Sequence, residues 1–359
     1  MSVVAIPTPK RAAFANLSRD EWLMRIGIVL LVVWLLLVIA FPLWALLSKS
    51  FQNANGEFVG LANYIRYFST PALFNSIFNS LWVAVISTSI VIPLAYLYAF
   101  ALTRSRMKFK GLFYAAALLP LFAPSLLSAI SLIYLFGNQG LLKHLLFGAS
   151  IYGPLGIIIS QIYYCFPPAV IILVTALTLA DARLYEIAEA LGTSKARVFR
   201  TVTLPGIKYG LINACFVVFT VVVTDFGIAK VIGGGFNVLA TDAYKQVIGQ
   251  QNFSMGAVVG MILLMPAVLA FVIDRLVQRR QFALLSARAV PLEPKPNTLR
   301  DVAVTIYATV VAAVIIGLLG VAVWASFVTY WPYNLSLSLS NYSFGTFDAD
   351  GWSPYFNSV

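Results

Sequence analysis

The stretch Glu186–Gly192 reads EIAEALG, and after nine further residues Val202–Pro205 reads VTLP. The two pieces form one pattern, in which Glu, any residue and Ala are followed by three residues and Gly, and later by an aliphatic residue, one residue and Leu-Pro. This polar segment interrupts a chain that is 60% hydrophobic and 10% charged. Soluble domains carry about 25% charged residues. The composition therefore indicates a membrane protein, and the segment is a polar loop within it.

Apolar runs of about 20 residues recur along the chain and predict membrane-spanning helices, because a helix satisfies its own backbone polar groups inside a bilayer. Seven spans are predicted, near residues 26–47, 79–102, 111–136, 155–179, 209–231, 255–273 and 302–328. The first run has too long an apolar core for a signal peptide and no small-x-small cleavage site before Lys49. It is therefore predicted to be a retained first helix.

The basic residues concentrate at the N-terminus and in every second loop between the predicted spans. Of the 24 Lys and Arg residues, 19 lie on this side of the membrane. The positive-inside rule therefore predicts that the N-terminus and the loop 181–206 are cytoplasmic. The net charge of +11 reflects this topology, and nucleic acid is not expected as a partner.

The sequence of the loop 181–206 predicts a rigid helix–turn–helix outside the membrane. Asp181 is the candidate N-cap of a helix over 182–191. Gly192 is expected to end or bend that helix, because glycine adopts a positive φ at little cost. A second short helix is predicted to follow, with Pro205 closing the loop before the next span. A rigid knob of this kind can transmit a partner's movement to the spans on either side.

The loop pattern resembles the EAA motif of binding-protein-dependent ABC importer permeases, and the resemblance covers Trp22 to about Arg280. It implies an all-α integral membrane protein of the bacterial inner membrane with the type I ABC importer transmembrane fold. Ile187 departs from the family's usual Ala. The residues implied to couple the permease to an ABC ATPase are Glu186, Ala188, Gly192, Phe199, Leu204 and Pro205.

The resemblance also implies the partners. The chain contains no G-x-x-x-x-G-K-[ST] phosphate loop, so ATP hydrolysis is expected on a separate, dimeric ABC ATPase subunit. A periplasmic solute-binding protein is expected to deliver the cargo. The chain itself is expected to be a transport subunit rather than an enzyme, surrounded by membrane lipid and without a cofactor or metal. Its single histidine, His144, has no nearby acidic or Cys partner in the sequence.

An internal repeat predicts the domain organisation. Leu61–Tyr64 (LANY) recurs as Leu339–Tyr342 (LSNY), and Phe78–Leu81 (FNSL) recurs as Phe356–Val359 (FNSV), both at an offset of 278 residues. The predicted order is a cytoplasmic segment 1–25, a six-helix permease unit 26–274, a cytoplasmic linker 275–301 and the start of a second unit 302–359. The first helix of that second unit is 302–328. We expect a longer permease, with the second permease half fused or paired.

The cargo is suggested by resemblance alone. Residues 225–253 and 281–291 look most like those of 2-aminoethylphosphonate permeases, within a group that also includes ferric-iron and thiamine permeases. Asp225, near the outer end of the fifth span, is a candidate translocation-pathway residue because an intramembrane carboxylate usually faces a cavity or a partner. The alternative is a plain interfacial charge, and Lys230 is a candidate ion-pair partner. Gln161 and Asn213 are candidates for the cavity lining or for hydrogen bonds between helices.

Two other function classes fit the sequence less well. An ion-coupled secondary transporter predicts intramembrane charge relays and inverted repeats, whereas the repeat offset here spans six predicted helices, an even number, and so keeps its orientation. A membrane enzyme requires clustered His, Cys or carboxylates at membrane depth. Cys165 and Cys215 are scattered in apolar spans and are expected to pack as small hydrophobic residues.

Overall fold

The computed structural model describes residues 19–282, 290, 292–346 and 350–358. Its α-helices are α1 Arg19–Leu35, α2 Phe41–Ser50, α3 Ala62–Ser69, α4 Pro71–Arg104, α5 Lys110–Leu118, α6 Ser125–Phe136, α7 Pro154–Thr178, α8 Ala182–Ala190, α9 Lys195–Val198, α10 Leu204–Thr224, α11 Gly227–Ile232, α12 Leu239–Tyr244, α13 Phe253–Phe282, α14 Thr298–Phe327 and α15 Ser353–Ser358. Strands β1 Val328–Tyr330 and β2 Asn334–Leu337 form an antiparallel hairpin. The predicted segment 1–25 and linker 275–301 lie partly outside the described residues.

Shorter helical turns join these elements. The π-helical turns are Leu36–Ala40, Phe199–Thr203 and Lys245–Gly249, and the 3-10 turns are Leu119–Phe122, Lys143–Leu146, Ser340–Tyr342 and Phe344–Thr346. Within the described residues, six helices are long and apolar enough to cross a membrane, and a bent pair makes up to seven. The six are Arg19–Ser50, Pro71–Arg104, Pro154–Thr178, Lys195–Thr224, Phe253–Ile273 and Thr298–Phe327.

The third predicted span, 111–136, is not one straight helix. Lys110–Phe122 and Ser125–Phe136 meet at an angle of 97°. Between them Ala123 is extended (φ −106°, ψ 144°), because Pro124 disfavours a helical conformation in the residue before it and has no N–H to donate. The predicted span 111–136 is therefore a bent pair of helices, which counts as one span only if both parts cross the membrane together.

The fifth predicted span, 209–231, also divides. Helix α10 ends at Thr224, Asp225 has extended backbone angles (φ −69°, ψ 125°), and α11 begins at Gly227. The Asp225 carboxylate accepts a hydrogen bond from the backbone N–H of Ile228 at 3.0 Å. A polar side chain that bonds a backbone N–H in this way stabilises a helix start, which is why the chain breaks here.

The core lies where α4, α7 and α10 pack against one another. Small residues allow the close approach: a Cβ at Gly210 would lie 2.4 Å from the Cβ of Ala176, so only glycine fits between α10 and α7. Larger residues fill the neighbouring space, and the rings of Tyr98 and Phe166 meet edge to face at 5.4 Å. The three helices form the rigid body to which the loop 181–206 is attached.

Helix α14 packs against α4, α5 and α6. The Tyr307 hydroxyl donates a hydrogen bond to the carbonyl oxygen of Leu94 at 2.7 Å. By contrast, α1 has no buried residue and α2 contacts α13. Helix α1 is therefore exposed over nearly its whole surface in this structure.

The two copies of the sequence repeat make the same contacts. The Asn63 amide donates to the carbonyl oxygens of Ser50 and Gln52, and the Asn341 amide donates to those of Ser326 and Val328. Each following tyrosine also bonds the serine hydroxyl, for Tyr64 at 2.9 Å and for Tyr342 at 2.8 Å. The adjacent ring pairs, Phe51 with Tyr64 and Phe327 with Tyr342, both have centroids 5.5 Å apart. Each copy fastens a loop to the end of the helix before it.

Candidate functional site

The first half of the loop 181–206 is helix α8, which the local sequence explains. The Asp181 carboxylate accepts a hydrogen bond from the backbone N–H of Arg183 at 3.1 Å, so it is the N-cap that the sequence predicts. Gly192 follows the helix with φ +64°. The N–H of Gly192 bonds the Glu189 carbonyl and the N–H of Thr193 bonds the Ala188 carbonyl. These bonds satisfy the carbonyl groups at the helix end.

The second half of the loop differs from the prediction. Helix α9, the π turn Phe199–Thr203 and α10 form one continuous helical stretch, Lys195–Thr224. Pro205 therefore lies inside the start of a membrane-spanning helix and does not close a loop. A π turn shifts the backbone hydrogen-bond pattern, and this accommodates a proline that has no N–H to donate. Movement of α9 is consequently passed directly to α10.

Side chains from three elements fasten the loop to the core. The Tyr185 hydroxyl of α8 donates to the Thr203 hydroxyl at 3.2 Å. The guanidinium of Arg104, at the end of α4, lies 4.9 Å from the centroid of the Tyr185 ring. The Phe199 ring meets Tyr96 of α4 edge to face at 6.1 Å. The loop is a rigid extension of α4 and α10 for this reason.

The outer surface of α8 carries an apolar stripe that the sequence analysis did not single out. Leu184, Ile187 and Leu191 are 52%, 57% and 77% exposed. Their spacing of three and four residues places them on one face of the helix. Exposed apolar patches with polar neighbours are typical of protein interaction sites, and Glu186 is exposed beside this face. The helical periodicity of these residues was the available signal.

The other predicted loop residues are distributed between the core side and the surface. Ala188 is buried, with 8% of its surface exposed, which allows α8 to lie close to its neighbours. Phe199 is 42% exposed and Leu204 is 37% exposed. Glu186 and Gly192 are exposed. Of the predicted residues, Ala188 packs against the protein and Phe199 contacts Tyr96, whereas Leu204 and Pro205 lie at the start of α10.

Residues of the predicted linker also contact α8. The carbonyl oxygen of Val290 accepts a hydrogen bond from the N–H of Ala182 at 2.9 Å. The Lys295 ammonium lies 2.5 Å from the Glu189 carboxylate, with both side chains mostly exposed. An exposed ion pair contributes about 0–1 kcal/mol, so the backbone contact is the firmer attachment of this segment.

Two of the three predicted pathway residues lie together at the break between α10 and α11. The Gln161 side-chain amide of α7 donates to the Asp225 carboxylate at 3.2 Å. Gln161 is 1% exposed, and its amide oxygen lies 3.7 Å from the Cys165 sulfur. Asn213 is not part of this cluster, because it lies twelve residues earlier on α10, about 18 Å away at 1.5 Å per residue.

Lys230 does not pair with Asp225 among the described residues. Its ammonium instead lies 4.5 Å from the centroid of the Tyr244 ring. The Asp225 carboxylate accepts hydrogen bonds from the Gln161 amide and the Ile228 N–H, and the Ser125 side chain is a third hydrogen-bonding neighbour. In the described part of the chain its partners are therefore neutral.

Comparisons with known proteins give a family and a fold. The family model described as "Binding-protein-dependent transport system inner membrane component" matches residues 91–282. The ferric transport system permease protein FbpB of Actinobacillus pleuropneumoniae is 24% identical, over all of this chain and 54% of its own length. The spermidine/putrescine permease PotB of Haemophilus influenzae is 26% identical, over 70% of this chain and 93% of its own.

The thiamine permease ThiP of Brucella abortus is 30% identical, over 53% of this chain and 36% of its own. The chain spans about half the length of its ferric relatives, 46% and 54%. A solved chain of a bacterial alginate ABC transporter superposes with a TM-score of 0.57 at 16% identity, over 76% of this chain and 98% of its own. The predicted helical fold, that of a type I ABC transmembrane domain, is thereby confirmed.

Proposed function

Because the chain belongs to the family of binding-protein-dependent transport system inner membrane components, we propose that it is the permease subunit of an ATP-driven ABC importer. In this role it passes a small solute from a periplasmic binding protein through the inner membrane to the cytoplasm. It is a transport subunit, and ATP is hydrolysed on a separate ABC ATPase dimer. The N-terminus and the loop 181–206 are cytoplasmic in this proposal.

The observation that carries the proposal is the knob that the loop 181–206 forms around helix α8. Its exposed apolar stripe, Leu184, Ile187 and Leu191, offers a docking face for the ATPase subunit. Its attachments through Tyr185 and Phe199 fix that face to α4 and α10. Movement of the ATPase on ATP binding therefore reaches the membrane helices without loss in a flexible loop. Glu186 contributes a charged contact at the edge of the stripe.

We propose 26–274 as one permease unit, 275–301 as a linker and 302–359 as the start of a second unit. The matching contacts around Asn63 and Asn341 support an internal repeat. The transport pathway in this family is formed between two permease units, so a second half, fused or paired, is part of the proposal.

We propose 2-aminoethylphosphonate as the cargo, on the resemblance of residues 225–253 and 281–291 to permeases for that solute. The Asp225 carboxylate, held by Gln161, is a suitable contact for an ammonium group such as the one this solute carries. Ferric iron, thiamine and polyamines are the alternatives, because relatives named for those solutes match the chain. Asp225 is also a suitable contact for a cationic cargo.

The test is uptake of labelled solutes in cells that carry this gene with the genes for its ATPase and binding protein. We expect ATP-dependent uptake of 2-aminoethylphosphonate that is lost in a correctly inserted Gly192→Asp variant. Uptake of ferric iron, thiamine or a polyamine in its place would assign that cargo and keep the permease proposal. Uptake that is unchanged both by ATP depletion and by the Gly192→Asp substitution would contradict the importer mechanism.

A further inference from the structure

A cavity lies beside the knob, and the proposed importer mechanism assigns no ligand to it. The cavity has a volume of about 480 Å³ and lies between the end of α4, the start of α5, the end of α7 and residues 292–294. Apolar side chains make up much of its wall, among them Tyr114, Leu177 and Leu292. Two cationic residues, Arg104 and Lys110, line it as well.

Arg104 is deeply buried for a charged residue, with 5% of its surface exposed. One terminal nitrogen donates to the carbonyl oxygen of Leu177 at 2.7 Å, and the guanidinium lies over the Tyr185 ring. Its Nε has no hydrogen-bond partner, and no carboxylate pairs with it among the described residues. A buried guanidinium with an unsatisfied donor is costly. An anion in the cavity would lie beside this charge, which has no carboxylate partner in the described part of the chain.

Lys110 adds a second positive charge at the same wall. It is half-buried at the first position of α5 and has no ion-pair partner within the described part of the chain. The nearby carboxylate of Asp301 is already paired with Arg300 at 2.8 Å. Gly111 follows in the wall, and the first N–H groups of a helix have no acceptor within that helix. Of the lining residues, Glu293 alone is acidic, and it is exposed.

We propose that this cavity binds an anionic phosphate group, carried by an anionic phospholipid or by free phosphate. Its two cations and the start of α5 match the charge and hydrogen-bonding needs of phosphate. Its apolar wall matches the glycerol and upper acyl carbons of a phospholipid, and basic pockets between membrane helices are known to take lipid headgroups. The volume accommodates a phosphoglycerol headgroup.

A ligand in this cavity is linked to helix α8 through a single side chain, that of Arg104. Arg104 touches Tyr185 of α8, and the chain segment that covers the cavity continues to Lys295, which pairs with Glu189 of α8. An occupied cavity therefore holds the end of α4, the covering segment and α8 in one arrangement. The lipid composition of the membrane is thereby linked to the position of the proposed ATPase-docking helix.

The test is native mass spectrometry of the full purified chain after delipidation, titrated with phosphatidylglycerol, phosphatidylcholine or inorganic phosphate. We expect phosphatidylglycerol to bind at least about tenfold more tightly than phosphatidylcholine, and the Lys110→Gln and Arg104→Gln variants each to lose about tenfold in that affinity. Lys108→Gln is the matched control, because Lys108 is exposed and does not line the cavity. Its affinity is expected to be unchanged.

The outcomes separate the sources of the phosphate group. Binding of phosphatidylglycerol without inorganic phosphate assigns a lipid site, and binding of both assigns a site for the phosphate group itself. Because Arg104 also supports Leu177, the half-buried Lys110 provides the variant that leaves the helix packing intact. Equal binding of the two lipids together with no phosphate binding, or binding that neither variant weakens, overturns the proposal. None of these outcomes depends on transport activity.

Discussion

At the scale of single residues, Asp225 and Gly192 each interrupt a helix, for different physical reasons. Asp225 bonds the N–H of Ile228 and accepts from Gln161, so its carboxylate holds a break between α10 and α11 open toward α7. Gly192 has φ +64°, a conformation that residues with a Cβ adopt at a cost. One residue places a carboxylate at the break between α10 and α11, and the other shapes the knob around α8.

The first prediction concerns the charge of Asp225. Asp225→Asn keeps an oxygen that can accept from Ile228, so the protein is expected to insert and fold normally. Uptake is expected to fall by about tenfold, the size of effect that loss of a charged contact produces. The measurement is labelled-solute uptake, normalised to the amount of protein in the membrane.

Lys230→Gln is the matched control for that prediction. The Lys230 ammonium lies over Tyr244 and does not serve Asp225, so uptake is expected to remain near that of the wild type. Equal losses in the two variants would mean that both charges act together. Normal uptake by Asp225→Asn would remove Asp225 from the pathway.

The second prediction concerns the backbone at Gly192. A Cβ at this position meets no atom within 4 Å, so the cost of Gly192→Ala comes from its positive φ and not from a clash. We expect the free energy of unfolding to fall by about 1–2 kcal/mol. Gly206→Ala is the control, because Gly206 also has open space but is helical, where alanine is favoured. Thermal unfolding of the two purified variants makes the comparison, and equal melting temperatures would contradict it.

At the scale of elements, the π turn Phe199–Thr203 decides how the knob is attached. Without this π turn, the helix would be interrupted before Pro205, and α9 would not be continuous with α10. With it, Lys195–Thr224 is one helical stretch that runs from the knob into the core. Together with the pairing of Phe199 and Tyr96, this joins the knob to both α10 and α4.

The third prediction tests the apolar stripe on α8. Leu191 is 77% exposed, so Leu191→Asp is expected to change the free energy of unfolding by less than about 0.5 kcal/mol. Affinity for the ATPase subunit is expected to fall at least about tenfold, because the substitution places a charge in an apolar contact. The measurement is binding of the purified ATPase to the permease in detergent.

Leu337→Asp is the control for the stripe. Leu337 of β2 is similarly exposed, at 71%, but lies beyond the far end of α14. ATPase affinity is expected to be unaffected by this change. If Leu191→Asp binds the ATPase as the wild type does, α8 is not the docking element.

At the scale of the whole molecule, the main features are the internal repeat and the packing of α14 against the first permease unit. The contacts around Asn63 and Asn341 match in partners and geometry, and each copy closes the loop that follows a membrane helix. Helix α14, which carries the second copy at its end, packs on α4, α5 and α6. The helix that carries the second copy of the repeat therefore packs against helices of the unit that contains the first copy.

The fourth prediction uses this equivalence. Asn63→Ala and Asn341→Ala each remove two side-chain hydrogen bonds to backbone carbonyls, and each is expected to lower stability by about 1–2 kcal/mol. Hydrogen exchange of the two loops would report the local effect, and thermal unfolding the global one. Asn55→Ala is the control, because the Asn55 side chain is exposed; protection in both loops should then stay as in the wild type. A loss in only one copy would mean that the repeat is not structurally equivalent.

The sequence by itself determined the class of the protein and the local shape of its loop. Long apolar runs predict membrane helices because the bilayer leaves a chain few other solutions, and the spans were found close to the predicted places. The cap at Asp181 and the turn at Gly192 were predicted because both depend on residues within a few positions of each other. The bend at Ala123 also has a local cause, because Pro124 follows it directly.

Only the tertiary structure decided the features that join residues far apart in the chain. Gln161 meets Asp225 across 64 positions, and Arg104 reaches Leu177 across 73 positions. Lys230 is a candidate partner for Asp225 because it follows five residues later, but in the structure its ammonium lies over the Tyr244 ring instead. Hydropathy and capping are read within one helix, whereas these contacts depend on which helix faces pack together, and that is set by the fit of whole side-chain surfaces.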